Sequence, residues 1–190
     1  ITAAAIKELR EIRGVAMMHC KKALVECNGD LEKAKEFLRK KGQAKALKKS
    51  SRETREGAVE IRVDENHRSG AIIKLACETD FVARNELFQN FVKKCSSLVL
   101  THKSDINALK ASPFPDTGRS VDQELSNNIA IIGENMNVRR VEYLEVSRGA
   151  LVSYVHNKIN DSIGRMACVV KMFSNDNSSD CLLYTSDAAD

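Results

Sequence analysis

Residues 57–88 read "GAVEIRVDENHRSGAIIKLACETDFVARNELF", and the spacing of apolar residues changes within them. Val59, Ile61 and Val63 alternate with Glu60 and Arg62, the period of a strand with one buried face. The polar run "DENHRSG" makes a turn, and Ile73, Leu75 and Cys77 supply a returning strand. After Asp80 the period becomes helical: Phe88, Phe91, Val92, Cys95, Leu98 and Val99 form one apolar stripe, with Lys93 and Lys94 near the end. A hairpin followed by an amphipathic helix makes the body of this chain α+β.

Upstream, residues 1–42 read as three short helices. Ile6, Leu9 and Ile12 recur at helical spacing before Gly14; Val15, Met18 and Leu24 follow a stripe that ends at Asn28 and Gly29. Asp30 suits an N-cap, Leu31, Ala34, Phe37 and Leu38 form a buried face, and Gly42 suits a left-handed stop. Residues 43–56, "QAKALKKSSRETRE", are basic with a single Leu and read as a linker with some helical character.

Downstream, residues 101–119 hold both prolines, Pro113 and Pro115, and read as a variable connection closing a first subdomain over 57–118. Ser120 opens another helix, with Gln123 placed for a capping box and Val121, Leu125, Ile129 and Ile132 along one side. Three strand-like runs follow, "VRRVEYLEV", "ALVSYVH" and "RMACVVKMF". The expected architecture is a three-helix N-terminal domain and a core of two small α/β subdomains with antiparallel sheets. The second subdomain, 119–177, is expected to be incomplete, the chain reading as a C-terminally truncated fragment. Residues 178–190 include "CLLYTSDAAD", which matches no pattern before it and reads as a non-native tail.

Composition narrows the function classes. The hydrophobic fraction of 43% in 190 residues is enough for a conventional core. No apolar run approaches the roughly 18–20 residues that cross a bilayer, and the opening residues lack the pattern of a secretory signal. The first residue is Ile, so the expectation is that the true N-terminus and any targeting peptide lie outside this sequence. Six cysteines are widely spaced without a C-x-x-C pair, as free thiols are in a reducing compartment. Residues 1–55 carry 15 Lys and Arg against 7 Asp and Glu, and the remainder 15 against 19, which makes a basic head on a mildly acidic body.

No phosphate loop, dinucleotide fingerprint, nucleophile elbow or zinc-helix motif is present, and the four histidines share no ligand spacing. No catalytic residue, metal ligand or cofactor is therefore expected. The basic head could meet RNA phosphates, but helix ends and linkers are commonly basic, and its one aromatic, Phe37, belongs to a helix core. From the residues alone, Phe81 falls seven before Phe88 on the same stripe and reads as core, Asp80 as an N-cap, Lys21 as a solvated helix residue and His156 as a surface histidine at a strand end.

The stretch Thr79 to Asn85, "TDFVARN", resembles the signature of the elongation factor Ts family, guanine-nucleotide exchange factors for elongation factor Tu. The head, with "MMHCKKAL" and "NGDLEKAKEFLRKKG", is similar to that family's ubiquitin-associated-like domain; "IGENMNVRR" followed by "SYVH" is similar to the start of its second core subdomain. The resemblance implies an exchange factor without covalent chemistry, whose partner is elongation factor Tu in its GDP-bound and nucleotide-free forms. It implies partner-facing roles for Thr79, Asp80, Phe81 and Val82, which disturb the partner's Mg2+ and phosphate site, and contacts at Lys21, Ile132, Gly133 and His156. Neither a membrane nor a direct nucleic-acid role is implied; the alternative is a ribosome- or RNA-associated module using the basic head. The long Pro-containing connection and the extended turn in "SYVHNKINDSIG" resemble a mitochondrial form, which places the expectation in the mitochondrial matrix, with the bacterial cytoplasm as the alternative.

Overall fold

The computed structural model describes residues 1–173. The expected tail at 178–190, the last residues of the second subdomain and Cys181 lie outside the described residues. Two compact units form, one from Ile1–Glu53 with Gln123–Asn135, the other from Thr54–Asp122 with the described residues from Met136 on.

The first unit holds the basic head. Helices α1 (Ala3–Arg13), α2 (Met17–Glu26) and α3 (Leu31–Lys49) close around Leu9, Cys20, Ala23, Leu24 and Ala34, with Ile6, Val15, Leu31, Phe37 and Leu38 packed against them. Gly14 ends α1 at φ 64, and Asn28 and Gly29 follow α2 at φ 51 and 82, as the stop signals require. Asp30 caps α3 by accepting from the Lys33 amide.

Two readings of this unit are corrected. Met18 is 73% exposed, so the inward stripe of α2 is Cys20, Ala23 and Leu24. And α3 does not stop at Gly42: it runs on to Lys49 through residues expected to be a linker. Gln43, Ala44, Lys45, Ala46, Leu47 and Lys48 are strong helix formers, which outweigh the roughly 1 kcal/mol that one interior Gly costs. The end of α3 is tied down as well. Lys49 Nζ donates to the Gly133 carbonyl, and Asn135 Nδ2 donates to the carbonyls of Ser50 and Arg52 at 3.4 and 2.8 Å. Gly133 and Asn135 follow α7 (Val121–Ile132), whose start after Ser120 fits the sequence reading.

The second unit is an antiparallel sheet with helices. Strands β1 (Glu56–Val63), β2 (Ser69–Cys77), β3 (Met136–Glu145), β4 (Ala150–Lys158) and β5 (Ile163–Met172) take the order β3-β2-β1-β5-β4. The α+β class and the run of helices, hairpin, helix and three strands match the sequence reading. The two small sheets, however, join edge to edge. The β3 strand pairs with β2 along its length, and β1 meets β5 only at Val59–Gly164 and Glu60–Ile163. A two-pair seam thus links a three-stranded sheet to the β4–β5 hairpin.

Between β2 and β3 lie α4 (Asp80–Ala83), α5 (Glu86–His102) and α6 (Ile106–Ala111). Phe88, Phe91, Val92, Cys95 and Val99 are buried where α5 packs on the sheet. The region 101–119 is more than a variable connection. Asp105 caps α6, Leu109 is buried, and Phe114 stacks on Phe91 with ring centroids 5.3 Å apart, so the segment carries core residues that its two prolines masked.

Glu60 departs from the alternation rule. Read as the solvent-facing partner of Val59 and Ile61, it is instead 1% exposed. Its Oε1 accepts from the Ser162 hydroxyl at 3.4 Å and lies 3.9 Å from Arg62, and Oε2 has no hydrogen-bond partner among the described residues. Burial pushes the carboxyl above its ordinary range, against the pull of Arg62, the hydroxyls of Ser96 and Ser162, and Lys93. The sequence pattern failed here because the register sets Glu60 opposite Ile73 and Ala58 opposite Leu75, which puts Glu60 on the face with these buried residues, where α5 supplies Ser96, while Val59 and Val63 lie on the other face and are only half-buried.

Candidate functional site

Strand β2 ends at Cys77, whose Sγ donates to the Thr79 carbonyl at 3.1 Å. Thr79 is extended at φ −127 and ψ 158 and stands at the N-cap position of α4. The one-turn helix closes through Arg84 N to Asp80 O at 3.2 Å, and Asn85 N bonds Val82 O at 3.0 Å. Asn85 then starts a new helix by accepting from the Leu87 amide at 2.9 Å. The chain therefore bends between Phe81 and Phe88. Their seven-residue spacing no longer places them on one face, because helical arithmetic holds only along an unbroken helix.

The consequence is a corner with opposed sides. Val82 and Ala83 point into the unit and are buried, whereas Phe81 is 81% exposed. The reading of Phe81 as core is thus corrected, and so is that of Asp80 as an N-cap, since Thr79 holds that position and Asp80 is the first helical residue. The Asp80 carboxylate is half-buried and makes no hydrogen bond or ion pair among the described residues.

Asp80 also lines a polar cleft of about 570 Å³. Its other walls include Glu56 and Gly57 at the start of β1, Arg84, and Asn157, Lys158 and Arg165 from the β4–β5 hairpin. Arg165 is paired with Glu56. The cleft brings Asp80 together with the residues that directly follow His156. His156 itself is exposed, with Nδ1 at 3.3 Å from the Tyr154 hydroxyl. In the β4–β5 ladder His156 sits opposite Met166 and Tyr154 opposite Cys168, and both Tyr154 and Met166 are exposed.

Lys21, Ile132 and Gly133 belong to the helical unit. Lys21 is exposed on α2, one turn from Met17, Met18 and Val25, which are exposed large hydrophobics. Ile132 ends α7, and Gly133 follows at φ 94 with its carbonyl held by Lys49. Sequence reasoning missed the cleft residues Arg84, Lys158 and Arg165, and the exposed methionines. Arg84 stands inside "TDFVARN", but nothing in the string says that it meets the end of β4. For the methionines the signal was available: α2 has more apolar residues than one inward stripe can bury.

Among the described residues, no group of three or more His, Cys, Asp or Glu could hold a metal ion. No helix there is long and apolar enough to cross a membrane. Among the described residues, Cys20, Cys27, Cys77, Cys95 and Cys168 form no disulfide. What the site offers is one aromatic side chain held out on a short, closed turn beside a half-buried carboxylate.

Comparison with known proteins follows the same line. The family model described as Elongation factor TS matches residues 78–185. A protein named Elongation factor Ts from Methylorubrum extorquens (strain PA1) is 49% identical over 174 residues, covering 92% of this chain and 56% of the relative. One of the same name from Zymomonas mobilis subsp. mobilis gives the same 49% over 174 residues, with 92% and 56% covered. Another from Rickettsia felis is 47% identical over 175 residues, covering 92% of this chain and 55% of the relative. The chain spans about half the length of the curated relatives that it matches.

Proposed function

The chain belongs to the elongation factor Ts family, and from that membership we propose that it acts in translation elongation as a guanine-nucleotide exchange factor for elongation factor Tu. In this reading it binds the GDP-loaded GTPase, promotes GDP release and remains on the nucleotide-free form. The observation that carries the proposal is the exposure of Phe81 on a closed one-turn helix with Asp80 beside it.

The physics runs from that corner. Leaving a Phe in water forgoes roughly 1.5–3 kcal/mol that burial would return, and a partner pocket can recover it. An aromatic anchor in such a pocket carries a disproportionate share of the binding free energy. The backbone cost is already met, since Arg84 N and Asn85 N close the turn behind Phe81 before any partner arrives. The Asp80 carboxylate, brought beside a bound Mg2+ and diphosphate, competes with the groups that hold the metal; the main charge neutralising the phosphates is then displaced, and GDP leaves.

Exchange follows from linkage rather than from bond chemistry. A factor that binds nucleotide-free partner more tightly than loaded partner weakens nucleotide binding by the same factor by which nucleotide weakens it. No covalent step is required. Thr79 and Val82 serve the corner from behind, as the N-cap position and as a buried anchor. Lys21, Ile132, Gly133 and His156 are proposed as further contacts, with Met17, Met18 and Val25 adding apolar surface beside Lys21.

The relatives compared are bacterial proteins, which fits a bacterial translation factor. A mitochondrial-matrix form is the alternative, which rests on the resemblance of the Pro-containing segment 101–119 and of "SYVHNKINDSIG" to such a form. The exchange reading is tested by preloading elongation factor Tu with fluorescent GDP and following its release as the chain is titrated in. Release should accelerate with chain concentration and saturate, and Asp80→Ala should remove most of the acceleration while folding normally. A wild-type chain that leaves the release rate unchanged contradicts the reading.

A further inference from the structure

We propose that the cleft beside Asp80 is an anion-accepting subsite that takes a carboxylate side chain of the GTPase while Phe81 is docked. The inference rests on the exchange-factor reading and adds the chemistry of the surface that must lie against this corner.

Five charged side chains line the cleft: Glu56, Asp80, Arg84, Lys158 and Arg165. Glu56 and Arg165 neutralise each other as an ion pair. That leaves Arg84 and Lys158 against Asp80. Both cations are exposed, and neither makes an ion pair among the described residues. Each comes from a fixed piece of backbone. Arg84 follows α4 directly, with its amide bonded to Asp80 O and its carbonyl accepting from Gln89 Nε2 at 3.1 Å. Lys158 ends β4 in register with Gly164, behind Asn157 at φ 50. The cleft lining therefore carries an excess of one positive charge around about 570 Å³ of space.

Charge calls for an anion, and position decides its kind. A carboxylate carries one negative charge and matches the planar Arg fork. A phosphate dianion doubles the attraction to Arg84 and Lys158 and the repulsion from Asp80 alike, so charge alone does not separate the two. The source follows from position, because Phe81 directly follows Asp80 of the cleft wall, so a protein that buries its ring sits next to the cleft and has carboxylates to offer it. An acidic side chain on that protein gains the two cations without ordering a separate ligand.

The subsite acts on encounter more than on nucleotide release, since complementary charge at the edge of an interface chiefly raises association rate and its salt dependence. The test is GDP release from elongation factor Tu at rising concentrations of the full chain, for wild type, Arg84→Glu, Lys158→Glu and the double variant. Low and high salt are compared, and thermal melts establish folding. Double reversal should raise the chain concentration for half-maximal release at least about tenfold at low salt, with the saturating rate within about twofold of wild type. The gap should narrow at high salt, and Arg84→Lys with Lys158→Arg should behave as wild type. An unchanged half-maximal concentration in the double variant overturns the subsite while leaving the exchange reading intact. A wild-type chain without exchange activity overturns both. A third arm titrates the chain alone with inorganic phosphate: saturable binding that Arg84→Glu abolishes makes the cleft a phosphate site and overturns the carboxylate assignment.

Discussion

Phe81 and Phe88 are seven residues apart in neighbouring helices, and the chain treats them in opposite ways. Phe88 is 0% exposed beneath α5, and Phe81 is 81% exposed on α4. Both fit a helical stripe on paper. What separates them is Asn85, which caps α5 and breaks the periodicity, so that the ring before it turns outward and the ring after it turns in. The difference teaches that an N-cap in the middle of an apolar pattern can divide a core residue from a surface one. Phe88 is accounted for by the fold, whereas the exposure of Phe81 is the feature on which the proposed exchange role rests.

The comparison can be broken at its buried end first. Phe88→Ala should cost about 3–5 kcal/mol of unfolding free energy in a urea titration, since it empties a filled site under α5. A loss below about 1 kcal/mol would mean that α5 is less firmly seated than its burial implies.

Next in size is Glu60, the charge that α5 helps to cover. Its folded pKa lies above the unfolded one, so the native state holds the proton more tightly. Stability should therefore fall as pH rises from about 4.3 through the raised folded value, and then level off. Glu60→Gln should flatten that slope and raise stability at neutral pH by on the order of 1–2 kcal/mol, because an unpartnered carboxylate oxygen no longer carries buried charge. Melting temperatures across the pH series check the sign, and a variant that keeps the wild-type slope would clear Glu60 of responsibility.

The boundary between the two phenylalanines comes third. Asn85→Ala should cost about 1 kcal/mol through loss of the cap and loosen the turn that presents Phe81. Amide exchange at Leu87 and Asn85 reports the loosening directly.

The broad outline was legible in the sequence because period and punctuation survive in a string. The switch at Gly57, the stops at Gly14 and Asn28–Gly29 and the cap at Asp30 all leave local marks, whereas the pattern places at Asp80 the cap that the structure has at Asn85. What was hidden depends on distant segments. Glu60 is buried because α5 and Ser162 meet over β1, and α3 outruns Gly42 where its end is held by Gly133 and Asn135. The joining of two sheets through two residue pairs has no local signature at all. At the candidate site the motif gave Asp80 and Phe81, but its cations come from two places. Arg84 lies beside them in sequence, and Lys158 reaches the cleft only through the fold.

Phe81→Ala is the smallest expected change in stability, within about 0.5 kcal/mol of wild type, and the largest expected change in function. The most direct test is the rate of fluorescent-GDP release from elongation factor Tu with wild-type chain and with folded Phe81→Ala at equal concentration. The account predicts a variant that melts with wild type and loses most of the acceleration. A variant that melts with wild type and releases GDP just as fast would contradict it.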